Sequence, residues 1–522
     1  MFWADKTAEE AHEQLKDKGE VIVRDEKTAS GRVHVGSMRG VAIHGIISDL
    51  LNEKGIPAKF LYEINDFDPM DGLPTYLDKS KYEQHMGKRL CEVPSPDGRA
   101  KSLAEFYADE FKGVIVEAGF SPKFYKTSEL YTSGRMNEVI REALERAADI
   151  REIYKKVSGS IKPDDWLPLN VVCESCGKVG TTQVLGFDGE QVTYECRENL
   201  VAWAKGCNNK GTISPFDGNA SLPWKVEWAA KFKVVGVDIE GAGKDHSTRG
   251  GARDVANHIA RGIFNYDPPF DIPYEFFLVN GKKMSSSKGA GASAREIADS
   301  LPRKIFRLAL LGTKPMRAIN FEPKGNTIPV LYDRYDEIAE KYWSGVGDDD
   351  SRLYELVHLH NIPERHYRMR FSQVAFLAQM PHIDIFREAR EEKGEELNEL
   401  ELRELHERID YSLAWIKKHA PDRYVFQLQE DTPVALSFSG AQRKAFEKLY
   451  TYIEANEVLT GESLHHRLHE IKKEVAIEPE ELFTGLYQVF LGRDSGPQAG
   501  WFLSVLPRDF LLRRLGSIVH TS

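Results

Sequence analysis

Three groups of residues have types and spacings that suit particular chemistry. The first is His34-Val35-Gly36-Ser37, which follows a short apolar run and the loop Thr28-Ala29-Ser30-Gly31 and stands where a helical repeat begins. A helix N-terminus offers free N–H groups and a positive dipole end, and both suit phosphate. Gly36 would let a nucleotide approach the backbone, and His34 can donate to a phosphate oxygen as charge develops there. A second His-x-Gly string, His85-Met86-Gly87, lies in a polar stretch with no strand before it and reads as a chance occurrence. The second group is Lys283-Met284-Ser285-Ser286-Ser287-Lys288-Gly289. Two lysines on a loop of small hydroxyl residues and glycine can fold over a triphosphate and offset its β and γ charges. The third group is Cys173-x2-Cys176, then Cys196 and Cys207. The first pair has metal-knuckle spacing and is followed by Gly177, so the segment reads as a zinc-ribbon-like, structural Zn2+ site. The wide spacing of the second pair departs from that pattern.

These groups need elements to position them. Val21, Ile22 and Val23 are consecutive and β-branched, as in a strand buried in a parallel sheet. Met38, Ala42, Ile46 and Leu50 recur every four residues and predict a helix that stops at Gly55. AKFLYEIND predicts a second strand, so strand, loop, helix and strand form a βαβ unit of the doubly wound type. Ser102 and Glu105 have capping-box spacing before an apolar run that ends at Gly119, and a long charged helix is expected over Met136 to Val157. From about residue 160 to 215 the chain turns cysteine-bearing and glycine-rich, with Asp188-Gly189 as a hairpin turn. Parallel-sheet texture returns at FKVVGVDIEG (Phe232 to Gly241) and at YEFFLVNG (Tyr274 to Gly281), which runs straight into the lysine-serine loop. From Ser293, at capping-box spacing from Glu296, a largely helical chain is expected to the end.

Length and composition bound the possibilities. A chain of 522 residues is too long for one ordinary domain. With 41% hydrophobic and 29% charged residues it can build a core, and no apolar run reaches the roughly 18 to 20 residues of a membrane span. The charged N-terminal stretch has neither an apolar signal core nor a basic transit pattern, so a cytoplasmic location is expected. Five cysteines in a chain of this length do not suggest a disulfide scaffold. A net charge of -11 does not advertise nucleic-acid binding, but such binding needs only a local basic surface.

The His34 and Lys283 segments, in this order and each after a core strand, resemble the two signature motifs of class I aminoacyl-tRNA synthetases. TASGRVHVGS, Ile64 to Asp68, Ala242 to His246, Pro273 to Phe276, the opening WAD and the closing GPQAGWFLSVLPRDFLLRRL resemble the class I lysyl branch in particular. A glutamyl-type enzyme is the alternative within the class, and a non-catalytic tRNA-binding relative is a further one. The resemblance implies an α/β fold. A Rossmann-like catalytic domain (1–80 and 216–300) would be split by a zinc-ribbon-like connective insertion (81–215). A helical connecting region (301–350) and an all-α anticodon-binding region (351–522) would follow. It implies ATP with Mg2+, L-lysine and tRNA-Lys as partners, with no membrane and no stable protein partner evident. ATP would be held by Thr28, Ser30, Gly31, His34, Gly36, Lys283, Met284 and Lys288, with His34, Gly36, Ser37, Lys283, Ser285, Ser287 and Lys288 serving catalysis. Ser286 stands where the family motif usually has a second lysine, so Lys288 would take that role. Lysine would meet Gly31, Asp66, Trp228, His246 and Tyr274, with Trp224 also available to its stem. Archaeal members resembling this chain carry a glutamate where Gly40 stands, which leaves Asp66, Asp68, Glu227, Asp238 and Glu275 as substitutes for pairing the substrate ammonium.

Overall fold

The computed structural model describes every residue except 283, 285–291, 360, 381–382, 430–436 and 521–522. The chain divides into two compact units: Met1–Glu322 with Arg334–Ile362, and Pro323–Asp333 with Pro363–Ser522.

The first unit is built on a parallel sheet. Strand β1 (Val21–Thr28) pairs with β2 (Ala58–Asn65), Val21 opposite Ala58, and β2 pairs with β3 (Lys123–Lys126). On the other side of β1 the sheet continues through Ile239, which bridges Val23 and Phe270, again in parallel. Spatial order is therefore β3, β2, β1, Ile239, Phe270, and the strand ends that face one cleft are all carboxyl ends. Helix α2 (Met38–Glu53) lies against this sheet, and helix α1 (Trp3–Leu15) packs on α2. In α2, Met38, Ala42, Ile43, Ile46, Ile47 and Leu50 are buried, and the chain turns at Gly55, whose φ of +79° is in the region glycine tolerates best. Ser102 accepts from the Glu105 N–H at 3.1 Å and opens the helix Leu103–Glu117.

Between β3 and the return to the sheet, Thr182–Phe187, Val192–Cys196 and Lys210–Ile213 form a three-stranded antiparallel sheet. Its first turn contains Gly189 at φ +106°, and the Asp188 carboxylate accepts from the Glu190 and Gln191 N–H groups.

Two expectations are corrected and a third, the largely helical stretch after Ser293, gains one short strand. Phe232–Val235 is the last turn of the helix Trp224–Val235, not a strand; Gly236 caps it at φ +77°, and extended pairing begins only beyond it. A short apolar run fits a buried helix turn as well as a buried strand. The helix expected over Met136 to Val157 is two, Asn137–Glu145 and Ala147–Ser158, joined at Arg146, whose guanidinium bonds Asp149 and the Gly262 carbonyl. The helical stretch after Ser293 is interrupted by Ile319–Phe321, which pairs in parallel with Phe277–Val279. Ile319 and Phe321 are buried and Asn320 is exposed, a period-two signal too short to show in sequence.

In the second unit, helices are the only regular elements among the described residues, from Phe371–Leu377 to Arg508–Val519. Asn398 with Glu401 and Ser439 with Gln442 cap two of them reciprocally. Phe446, Leu464, Leu486, Phe490, Phe502 and Leu515 lie in one apolar core. Among the described residues no helix is long and apolar enough to cross a membrane.

Candidate active site

A cavity of about 290 Å³ opens at the carboxyl ends of β1 and of the Ile239 segment. Such a crevice beyond the strand ends is where doubly wound sheets bind ligands. Its walls include Asp25, Glu26, Lys27, His34, Gly36, Ser37, Trp224, Trp228, Glu240, His246, Tyr274, Glu275 and Met284.

The two signature segments, far apart in sequence, meet here. His34 bridges Ser293, the Val35 N–H donates to the Ala292 carbonyl at 3.2 Å, and the Ala294 N–H donates to the Val33 carbonyl at 2.8 Å. A Cβ placed on Gly36 would stand 2.8 Å from His34 Nδ1 and 3.3 Å from Met284 Cε. Any larger residue at position 36 would therefore crowd both motifs. Met284 and residues 292–294 tie both ends of the lysine-serine loop to the His34 segment. Lys283, Ser285, Ser286, Ser287 and Lys288 lie outside the described residues.

Beneath the cavity lies a network of buried charges that connects β1, β2 and the helix Trp224–Val235. Arg24 bonds Glu240 (2.5 Å), Glu63 (2.7 Å) and Glu26. Lys231 bonds Glu63 (2.6 Å) and Glu227 (2.8 Å), and stands 3.8 Å from Glu26. Burial opposes the charge on both cations, but the surrounding carboxylates hold their pKa values well above normal. Burial likewise works to raise Glu63, yet Arg24 and Lys231 pull it well below the carboxylate range. For Glu227, burial wins and its pKa is raised. Two cations thus face four carboxylates, with Arg253 a third cation 4.0 Å from Glu240. None of Arg24, Glu63, Lys231 or Glu240 stood out in the sequence. The available signal was the charged triplet Arg24-Asp25-Glu26, which continues a buried β-branched run without a turn.

The aromatic wall is ordered. Trp224 and Trp228 stack with centroids 6.0 Å apart, and His246 meets them edge-on at 5.3 and 6.2 Å. Trp228 Nε1 donates to Glu240 at 2.5 Å. Arg39, fully buried, donates to the carbonyls of Leu310 (2.7 Å), Thr313 (2.9 Å) and Lys314 (2.7 Å). Burial lowers its pKa to about 10, still far above neutrality, so the guanidinium stays charged.

Of the residues expected to meet an amino acid, Trp228, His246 and Tyr274 line the cavity, and Trp224 joins them. Gly31 is buried in the loop after β1 and is not among the lining residues. Asp66 is placed elsewhere: its carboxylate accepts from the Ser128 N–H (2.8 Å) and hydroxyl (2.7 Å) in the first turn of the helix Thr127–Thr132. Asp68 accepts from the Thr28 hydroxyl at 3.0 Å, and Ser30 is buried. Asp238 accepts from the Ile22 N–H and pairs with Lys18. Glu275 does face the cavity, where it pairs with Lys244 at 2.6 Å.

The four cysteines converge. The Sγ atoms of Cys173, Cys176, Cys196 and Cys207 lie within 4.8 Å of one another, with Cys173 to Cys207 at 3.6 Å and Cys176 to Cys196 at 3.8 Å. Thiolates at about 2.3 Å from a tetrahedral Zn2+ would be separated by roughly 3.8 Å, so these sulfurs fit the ion. Burial acts to raise the Cys207 thiol, but the Asn209 N–H and the neighbouring Cys173 and Cys176 bring it down to about 7. Cys91 is outside the cluster.

The sheet, the cavity at its strand ends and the docking of the two signature segments define a class I aminoacyl-tRNA synthetase. Residues 1–363 match the family described as tRNA synthetases class I (K), and the chain belongs to that family. It is 32% identical to a protein of Methanosarcina barkeri named Lysine--tRNA ligase, across 98% of this chain and 97% of that one. Proteins of the same name from Thermoplasma volcanium and Methanocaldococcus jannaschii are each 30% identical, across 99% and 98% of this chain respectively and 99% of theirs.

Proposed function

We propose that this synthetase is a lysine–tRNA ligase that activates L-lysine with ATP and transfers it to the 3′-terminal ribose of tRNA-Lys. The observation that carries the reading is the charge of the cleft. Asp25, Glu26, Glu240 and Glu275 line it against Lys27 and Arg39, and beneath it Glu63 and Glu227 join Glu26 and Glu240 around Arg24 and Lys231, with Arg253 4.0 Å from Glu240. A field of that sign favours a cationic side chain over the aromatic wall, and it would repel the carboxylate of a glutamyl substrate. The names of the full-length relatives agree.

In the first step the lysine carboxylate attacks the α-phosphorus of ATP and pyrophosphate leaves. In the second, the ribose hydroxyl attacks the lysyl carbonyl and AMP leaves. The protein's contribution is in-line positioning and charge compensation. His34 and the main chain at Gly36 hold the α-phosphate, with Ser37 and the Thr28–Gly31 loop alongside. Lys283 and Lys288, flanked by Ser285 and Ser287, take the pyrophosphate charge, and Mg2+ accompanies the nucleotide. Trp224, Trp228, His246 and Tyr274 enclose the lysine stem.

Cys173, Cys176, Cys196 and Cys207 hold a structural Zn2+ within the insertion 81–215, the catalytic halves being 1–80 and 216–300. Region 301–350 connects them to the helices of 351–522, which bind the anticodon, and the protein works in the cytoplasm. The test is aminoacylation of total tRNA with each of the twenty amino acids in turn. Lysine alone should give product, and charging of glutamate or another amino acid would refute the reading.

A further inference from the structure

The reading as a lysine enzyme leaves open which group receives the substrate's side-chain ammonium, and the geometry points to Asp25. A buried ammonium needs a carboxylate that is not already neutralised. The other acids of the cleft are committed. Glu240 accepts from Trp228 on one oxygen and from Arg24 on the other, both at 2.5 Å. Glu26 is held by Arg24, and Glu275 by Lys244 at 2.6 Å.

Asp25 differs. It is 8% exposed, and one oxygen accepts from the Glu26 N–H at 2.8 Å. Its other oxygen lies 3.6 Å from His44 Nδ1. That imidazole brings no charge: Nε2 accepts from the Gly241 N–H at 2.7 Å, so the ring proton is on Nδ1, 2.7 Å from the Gly40 carbonyl. Burial opposes the imidazolium, and Asp25 with the Gly40 carbonyl outweighs it and raises the pKa, but the Gly241 N–H occupies the atom that would have to gain the proton. Lys27 shares the cavity wall, and no ion pair joins it to Asp25. Burial lowers its pKa against the pull of Asp25 and Glu26.

Gly40 explains how the carboxylate reaches the cleft. A Cβ on residue 40 would stand 2.5 Å from Asp25 Oδ2 and 2.9 Å from the Tyr274 hydroxyl, so any side chain there would displace the acid. The depth also fits the far end of lysine. Gly40 lies one turn below Gly36 in the chain entering α2, about 6 Å along the axis. That is comparable to the span of a four-carbon stem whose carboxylate sits at the phosphate-binding end. Trp228 and Tyr274 then flank the stem between the two ends. We infer that Asp25 is the specificity residue that accepts the lysine ε-ammonium, in the space that Gly40 keeps open.

The test rests on the lysine reading and separates from it. In full-length protein with tRNA, Asp25→Asn should raise KM for lysine at least 100-fold and leave KM for ATP within threefold. The preference for lysine over L-2-aminoheptanoate, its uncharged isostere, measured as competing inhibition constants, should fall at least tenfold. The double variant Asp25→Ala/Gly40→Asp, which supplies the carboxylate from the opposite wall, should recover at least tenfold of that preference over Asp25→Ala. A folded Asp25→Asn enzyme with lysine KM within threefold of wild type would overturn the assignment. So would a loss confined to kcat with the preference unmoved. If Asp25→Asn does not fold, the wild-type comparison decides: an isostere bound as tightly as lysine leaves no role for the acid. A wild-type enzyme that charges no lysine refutes the function itself, whatever Asp25 does.

Discussion

Lys231→Met is the sharpest perturbation of the buried network. Lys231 is 1% exposed and its ammonium lies 2.6 Å from Glu63, 2.8 Å from Glu227 and 3.8 Å from Glu26. Methionine nearly matches its volume, so the substitution removes charge while leaving little cavity. Glu227 would keep only the Tyr131 hydroxyl, at 2.6 Å, and Glu63 would lean on Arg24, Tyr125 and Thr127. Breaking a buried pair by deleting one partner costs about 3–5 kcal/mol, because the surviving charge is left without compensation. For a unit of this size that corresponds to a fall of roughly 4–7 °C in its thermal midpoint at pH 7.

The pH dependence has a definite sign. Wild-type Glu63 titrates far below its unfolded value, so its contribution is complete above the ordinary carboxylate range and persists down to strongly acid pH. Glu227 is already raised, and without Lys231 both carboxyls move up. Folding of the variant then takes up protons between pH 7 and 5, so its deficit relative to wild type should shrink over that interval. Calorimetric scans of both proteins at pH 7 and pH 5 measure this. A deficit under 1 kcal/mol at pH 7, or one that grows on acidification, would refute the account of Lys231 as the compensating charge.

Lys283→Ala and Lys288→Ala should each lower aminoacylation at least 10²-fold at saturating ATP by removing charge that offsets the leaving pyrophosphate; near wild-type turnover in both would refute the loop's role. Metal analysis of protein purified without added zinc should find about one Zn2+ per chain, lost in Cys173→Ser together with protease resistance of the insertion alone; a metal-free, folded and active preparation would refute the site. Lysine-dependent exchange between pyrophosphate and ATP should run at least tenfold faster with cognate tRNA than without it, since tRNA binding would complete the site around ATP, and equal rates would refute the coupling.

The legibility of this fold followed the range of each signal. The βαβ unit was readable because its evidence is local: a β-branched strand, a helix with apolar residues every fourth position, and a glycine stop at Gly55. The cysteine cluster was readable because ligand chemistry restricts residue types so strongly that Cys196 and Cys207 could be joined to the knuckle despite their spacing. Phe232–Val235 misled because four apolar residues carry no period. The network under the cleft was invisible for a different reason. Arg24, Glu63, Lys231 and Glu240 come from four separated segments, and each alone reads as an ordinary surface charge. Only the sheet order, which sets Ile239 beside β1 and β1 beside β2, turns them into one buried cluster. Gly40 shows the same limit from the other side. In sequence it reads as a missing acid, whereas in the fold its empty Cβ position is occupied by the carboxylate of Asp25. Asp25 is inconspicuous among the nearby acids because it sits on a strand that otherwise looks like core. The compensating charge reaches across from β1 to α2, and adjacency of that kind is a property of the sheet, not of spacing along the chain.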